Sequence, residues 1–155
     1  MRILLIADYE EKELWGGWST DIAGKLSNVN LILSAGDLNA NYLEFLTDKL
    51  RVPLVYVPGN HDYNYIAKPP KRCVDADGRI VDFMIGQEKV KIIGLGGSMR
   101  YKEGPFMFSE EDQRERVREI AKQLETGKSD DNTIKILLTH APCNGIVSTY
   151  CGVFA

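Results

Sequence analysis

The chain has 155 residues, 44% of them hydrophobic and 26% charged, with a formal net charge of -3. That composition suits a soluble globular domain with one sizeable core, and the absence of a basic tract gives nucleic acid no support as a partner. Apolar runs such as residues 3–7 fall far short of a membrane span, so no membrane partner is expected.

The first run, residues 2–7, is almost continuously apolar and predicts a strand, opening directly after Met1 with no signal-peptide pattern. A short helix over 10–15 is one reading of the next segment. Strands are predicted over 31–35 and 54–57, with a helix over 39–50 between them. That helix carries Tyr42, Leu43, Leu46 and Leu50 at helical spacing and is limited by Pro53. Residues 79–84 and 90–95 are mixed in polarity and come after turn signals, which predicts a hairpin with one exposed face. Ser109 and Asp112 form a capping-box pattern at the start of a helix over 109–125, with Val117, Ile120, Ala121 and Leu124 as its apolar stripe and Gly127 after its end. Its Arg and Glu residues read as a solvated face. The last strand is predicted over 134–139. The apolar runs at 2–7, 31–35, 54–57 and 134–139 predict burial on both faces. The order of elements predicts an α/β fold with a mostly parallel sheet and an antiparallel addition. Cys73, Cys143 and Cys151 are odd in number and lack a C-x-x-C pair. They read as reduced, buried thiols, and the expected location is the cytoplasm.

Four strand ends carry the chemistry: Asp8, Gly36-Asp37, Gly59-Asn60-His61-Asp62 and His140. In α/β folds ligands gather at the carboxyl ends of strands. Taken singly, Asp8 is a helix cap, Asp37 is a cap before the next helix, Gly59-Asn60 is a turn and His140 is a core histidine. Together, Asp8, Asp37, Asn60 and His140 form a set of oxygen and imidazole donors suited to Mn²⁺, Fe, Zn²⁺ or Mg²⁺. Two such cations joined by a carboxylate activate a water and stabilise phosphate oxygens during in-line attack. His61 is placed to protonate a leaving oxygen. Arg100, after Gly96-Gly97-Ser98, is a candidate phosphate contact, though loop arginines more often have no such role. Gly94-Leu95-Gly96-Gly97 resembles a dinucleotide fingerprint only in part, because Met99 stands where its third glycine belongs.

At these residues the chain resembles the calcineurin-like metallophosphoesterase superfamily, whose motifs run D-x-H, G-D, G-N-H-D/E, a lone His after a strand, then G-H-x-H. The resemblance implies a β-sandwich flanked by helices, α-β-β-α in layers, with metals at the strand ends. It implies that Asp8 belongs to a first metal, that Asp37 bridges both, that Asn60 and His140 belong to the second, and that His61 is catalytic. Asn60, His61 and Arg100 are the expected substrate contacts. The implied cofactors are two divalent metal ions, with manganese favoured over iron, zinc or magnesium. The implied reaction is hydrolysis of a phosphate monoester or diester by a metal-bridging hydroxide. The alternative is a catalytically impaired relative that binds a metal or a partner.

Three departures stand out. Glu10 occupies the place of the first motif's His, either as a harder ligand favouring Mn²⁺ or Mg²⁺, or as the start of the helix over 10–15. Ala40 and Asn41 replace the Asp and Arg that come after G-D in protein serine/threonine phosphatases, which argues against that activity. The G-H-x-H motif does not occur, and the last fifteen residues carry no charge. Residues 1–155 are therefore expected to be one metallophosphoesterase domain, truncated at its C-terminus, lacking its last strands and leaving a sheet edge unpaired.

Overall fold

The computed structural model describes residues 1–126 and 132–142. Strand β1 (Ile3–Ile6) leads through two short helices, α1 (Lys12–Trp15) and α2 (Thr20–Leu26), to β2 (Leu31–Ser34). Helix α3 (Ala40–Leu50) and β3 (Leu54–Tyr56) come next, then a 3₁₀ turn over Tyr63–Ile66 and β4 (Val74–Asp75). The hairpin β5 (Ile80–Ile85) and β6 (Glu88–Leu95) precedes the short strands β7 (Ser98–Met99) and β8 (Met107–Phe108). Helix α4 (Glu110–Thr126) and β9 (Ile134–Thr139) complete the described chain.

Strand alternation explains the layers. β1, β2, β3 and β4 form a parallel sheet in that order, and β5, β6 and β9 form a second sheet. Ile32, Leu54 and Tyr56 point one way, into a core completed by Tyr42, Leu43 and Leu46 of α3. Leu31, Leu33, Val55 and Val57 point the other way and meet Val90, Ile92 and Leu138 of the second sheet. The result is a mixed α/β fold with helices against one face of the parallel sheet and a mixed sheet against the other. The hairpin is therefore not an antiparallel edge on the first sheet, as the order of elements alone suggested. It pairs with β9, which runs parallel to β6, and builds a separate layer.

The helix boundaries match their caps. Asn39 caps α3, its side chain accepting from the Asn41 N–H at 2.9 Å, and Arg51 closes the helix in the left-handed conformation, φ 55°. At α4 the capping box forms in both directions: Ser109 Oγ accepts from the Asp112 N–H at 3.1 Å, and Asp112 accepts from the Ser109 N–H at 2.8 Å. The Ser109 hydroxyl also donates to Asp112 Oδ2 at 2.6 Å, and that bond, with the one from the Ser109 N–H, holds the Asp112 carboxyl below the usual carboxylate range. The expected Gly127 stop lies outside the described residues, as do Cys143, Cys151 and the uncharged stretch from 143 onward. Cys73 is half-buried, and burial pushes its thiol pKa up.

Burial on both faces holds for β2 and β3, where every residue is buried. It fails for the two outer strands. Leu5 pairs with the buried Leu33 yet is 66% exposed, and Leu137, paired with Ile93, is 53% exposed. Each lies on a strand that has a neighbour on only one side among the described residues, so the facing layer does not reach it.

The two sheets come into close contact at Gly94. Its carbonyl accepts from the Gly78 N–H at 3.0 Å and its own N–H donates to Arg79 at 3.1 Å. A Cβ there would lie 2.6 Å from the Ala76 carbonyl carbon and 2.7 Å from the Ala76 Cβ. Gly94→Ala is expected to destabilise the protein by about 1–3 kcal/mol, seen as a lower urea midpoint at constant slope.

Candidate metal centre

The carboxyl ends of β1, β2, β3 and β9 lie together. β1 ends at Ile6, and the Asp8 N–H donates to the Gly36 carbonyl just past β2 at 3.0 Å. Both aspartates adopt left-handed backbone, φ 58° at Asp8 and 57° at Asp37. Asp is among the few residues that tolerate this conformation, so each carboxylate is turned out of its strand at modest strain. Neither acts as a helix cap: α1 is preceded by Glu11 and α3 by Asn39.

Two glycines allow the strand ends to close on each other. At Gly36, φ 98°, a Cβ would lie 2.7 Å from Gly59 Cα and 2.9 Å from His140 Nδ1. At Gly59 it would meet the Asp37 carboxylate and lie 2.7 Å from the Asp37 backbone nitrogen. The loop after β3 then grips residue 37 from both ends. Asp62 Oδ2 accepts from the Asp37 N–H and the Gly59 N–H, both at 2.7 Å. The His61 N–H donates to Asp37 Oδ1 at 2.8 Å. Asp62 is 6% exposed, and burial pushes its pKa up to about 6 against the opposing pull of its two N–H donors.

Asp8, Asp37 and His140 offer ligand atoms that all lie within 4.8 Å of one another. His140 Nε2 is 3.7 Å from Asp37 Oδ2 and 3.0 Å from Asn60 Oδ1. Its other ring nitrogen, Nδ1, lies 2.7 Å from the Ala35 carbonyl, a partner that takes its proton and orients the ring. A neutral imidazole so held presents a lone pair to two further acceptors. Three acceptors converging in a part-buried site require a proton or a cation between them. The donor set fits a hard or borderline divalent metal. The Asp8 carboxyl is raised in pKa by burial, an effect countered by His140 and reinforced by Asp37. A cation at the centre would favour the ionised form of that carboxyl.

Asp8, Asp37, Asn60 and His140 are thus brought together. The His61 ring is largely exposed, its Nε2 4.0 Å from Asp37 Oδ2. Two other expected site residues are engaged elsewhere. Glu10 accepts from the Asn39 N–H at 2.8 Å and lines a cavity of about 560 Å³ beside the centre, together with Asp37, Asn64 and Lys68. Arg100 donates to Asp112 and to the Met107 carbonyl, both at 3.3 Å. Sequence reasoning missed Tyr101, whose hydroxyl accepts from Asn60 Nδ2 at 3.1 Å. The contact spans 41 positions, and no spacing rule signals it.

Oxygen and imidazole donors gathered at the carboxyl ends of sheet strands are the arrangement of a metal-dependent hydrolase. The chain belongs to the calcineurin-like phosphoesterase family, whose model matches residues 1–154. This is a superfamily of metal-dependent phosphoesterases, and its members typically hold two metal ions. No curated protein sequence matches the chain. Among the described residues, no helix is long and apolar enough to cross a membrane.

Proposed function

We propose that this chain hydrolyses phosphate esters using divalent metal ions held by Asp8, Asp37, Asn60 and His140. The observation that carries the reading is the convergence of acceptors at His140 Nε2, Asn60 Oδ1 and Asp37 Oδ2, within 3.0–3.7 Å. Asp8 and Asp37 would hold one ion, and Asp37, Asn60 and His140 the other. Such ions supply Lewis-acid stabilisation of phosphate oxygens and acidify water at neutral pH.

The protein's own groups do the rest. His140 is oriented through Ala35, so its free nitrogen faces the centre. Asp37 is fixed by two backbone bonds before any ligand arrives. The exposed His61 ring, 4.0 Å from Asp37 Oδ2, would give a proton to the leaving oxygen. Manganese is the proposed metal, because oxygen donors outnumber imidazole in the set.

A second reading is a metal-binding module without turnover. The observation that favours it is Glu10, one of whose carboxylate oxygens is taken by the Asn39 N–H. Assays of monoester and diester nitrophenyl substrates with Mn²⁺, Zn²⁺, Mg²⁺ or EDTA decide between the two. The enzyme reading expects metal-dependent turnover, lost in EDTA and reduced roughly 10²–10⁴-fold by His61→Ala. Metal retained by elemental analysis with no turnover establishes the module instead.

A further inference from the structure

The segment after β6 is held more firmly than a connecting loop requires. The Gly97 N–H donates to the Pro58 carbonyl at 2.7 Å, and a Cβ on Gly96 would lie 2.7 Å from Pro58 Cδ. The Ser98 N–H donates to Phe106 at 3.0 Å and the Arg100 N–H to Phe108 at 2.9 Å. Arg116 of α4 donates to the Gly96 carbonyl at 3.0 Å, and its guanidinium lies 4.0 Å from the Phe108 ring centroid. At the surface, Arg100 is engaged by Asp112 and by the Met107 carbonyl. Residues 96–100 are therefore docked on the loop that carries Asn60, and they present no free guanidinium to the centre.

The group they do present is Tyr101. Tyr101 is 61% exposed, yet its hydroxyl is tied to Asn60 Nδ2 at 3.1 Å. The bond fixes the Asn60 amide with its oxygen toward His140, and it holds a planar apolar surface in solvent beside the metal centre. Lys102 Nζ stands 5.5 Å from the ring centroid and adds an exposed cation there. A π face in solvent, a fixed position relative to the phosphate site and a rigid support are what a stacking platform needs.

We propose that Tyr101 is a substrate-binding residue whose ring stacks on a planar aromatic group carried by the phosphate ester, while the phosphate sits at Asp8, Asp37, Asn60 and His140. This rests on the phosphoesterase reading and narrows it to esters of aryl or nucleoside type. The Tyr101 hydroxyl positions Asn60, and the ring selects the substrate.

The test is binding rather than turnover. Calorimetric titration of the Mn²⁺-loaded protein compares phenylphosphonate with methylphosphonate, which match in headgroup and do not hydrolyse. The wild type is expected to bind the phenyl compound about ten-fold more tightly. Tyr101→Phe keeps that ratio because it keeps the ring, Tyr101→Trp raises it, and Tyr101→Leu brings it close to one. A mere loosening of Asn60 lowers both affinities together and leaves the ratio unchanged. Equal binding of the two compounds by the wild type overturns the inference and leaves the phosphoesterase reading standing. A preference that survives Tyr101→Leu also overturns it. Failure of the wild type to bind either compound overturns both readings.

Discussion

Asp37→Asn is expected to lower metal-dependent phosphoesterase turnover by about 10²–10³-fold or more while leaving the protein folded. The substitution is chosen for its backbone. Residue 37 has φ 57°, and Asn tolerates that conformation about as well as Asp. The side-chain carbonyl keeps the acceptor for the His61 N–H, now 2.8 Å from Oδ1. The Asp62 grip on the residue 37 N–H is untouched. The change falls on the oxygen that faces His140 at 3.7 Å and His61 at 4.0 Å. It becomes an amide nitrogen, which carries no charge and binds no cation. Matching thermal melts in EDTA, together with reduced metal content and turnover, are the expected readouts. Full turnover in Asp37→Asn would remove Asp37 from the centre.

The second large effect is at Asp62, where stability and pH are coupled. Asp62→Ala leaves the buried N–H groups of Asp37 and Gly59 without their shared acceptor. Each orphaned group costs about 1–3 kcal/mol, so a marked drop in melting temperature is expected. Asp62→Asn keeps an oxygen for both donors and removes only the titration. Burial raises the folded-state pKa of Asp62 from 3.8 to about 6. A carboxyl raised on folding binds its proton more tightly in the native state, so its contribution to stability is greatest below pH 4. That contribution declines as pH rises through about 6. In metal-free protein, the stability of wild type relative to Asp62→Asn is expected to fall by about 3 kcal/mol across that window. Urea unfolding of both proteins at a series of pH values measures it, and a flat difference would show that Asp62 does not titrate there.

The sequence made the buried centre of the fold legible because there each rule acts alone. β2 and β3 are continuous apolar runs flanked on both sides by strands, and α3 carries its stripe on one face. The four strand ends were legible because their donors point one way only when taken together, whereas each alone has an ordinary reading. The rest depended on neighbours far along the chain. Leu5 and Leu137 look like core residues until the sheet order makes their strands outermost. Helix α2 buries only Ile22, so it has no stripe to detect, although Ser19, accepting from the Ile22 N–H at 3.3 Å, is a cap signal that was available. β4, β7 and β8 are two-residue pairings made by docking rather than by pattern. Glu10 was matched to a role by its place in a motif and Arg100 by its place after Gly96-Gly97-Ser98, whereas their hydrogen bonds to Asn39 and Asp112 follow from the fold. Tyr101 has no role assigned from the sequence, because its contact depends on the Gly97–Pro58 bond that lays one loop on another.

The clamp that Gly59, His61 and Asp62 place on residue 37 is built from hydrogen bonds between protein groups. Loading or stripping the centre is therefore expected to leave the far-ultraviolet circular dichroism unchanged. A single preparation, dialysed in turn against different divalent ions, then becomes a direct ranking of those ions. Their heats of uptake, corrected for the protons released on binding, then carry no refolding contribution.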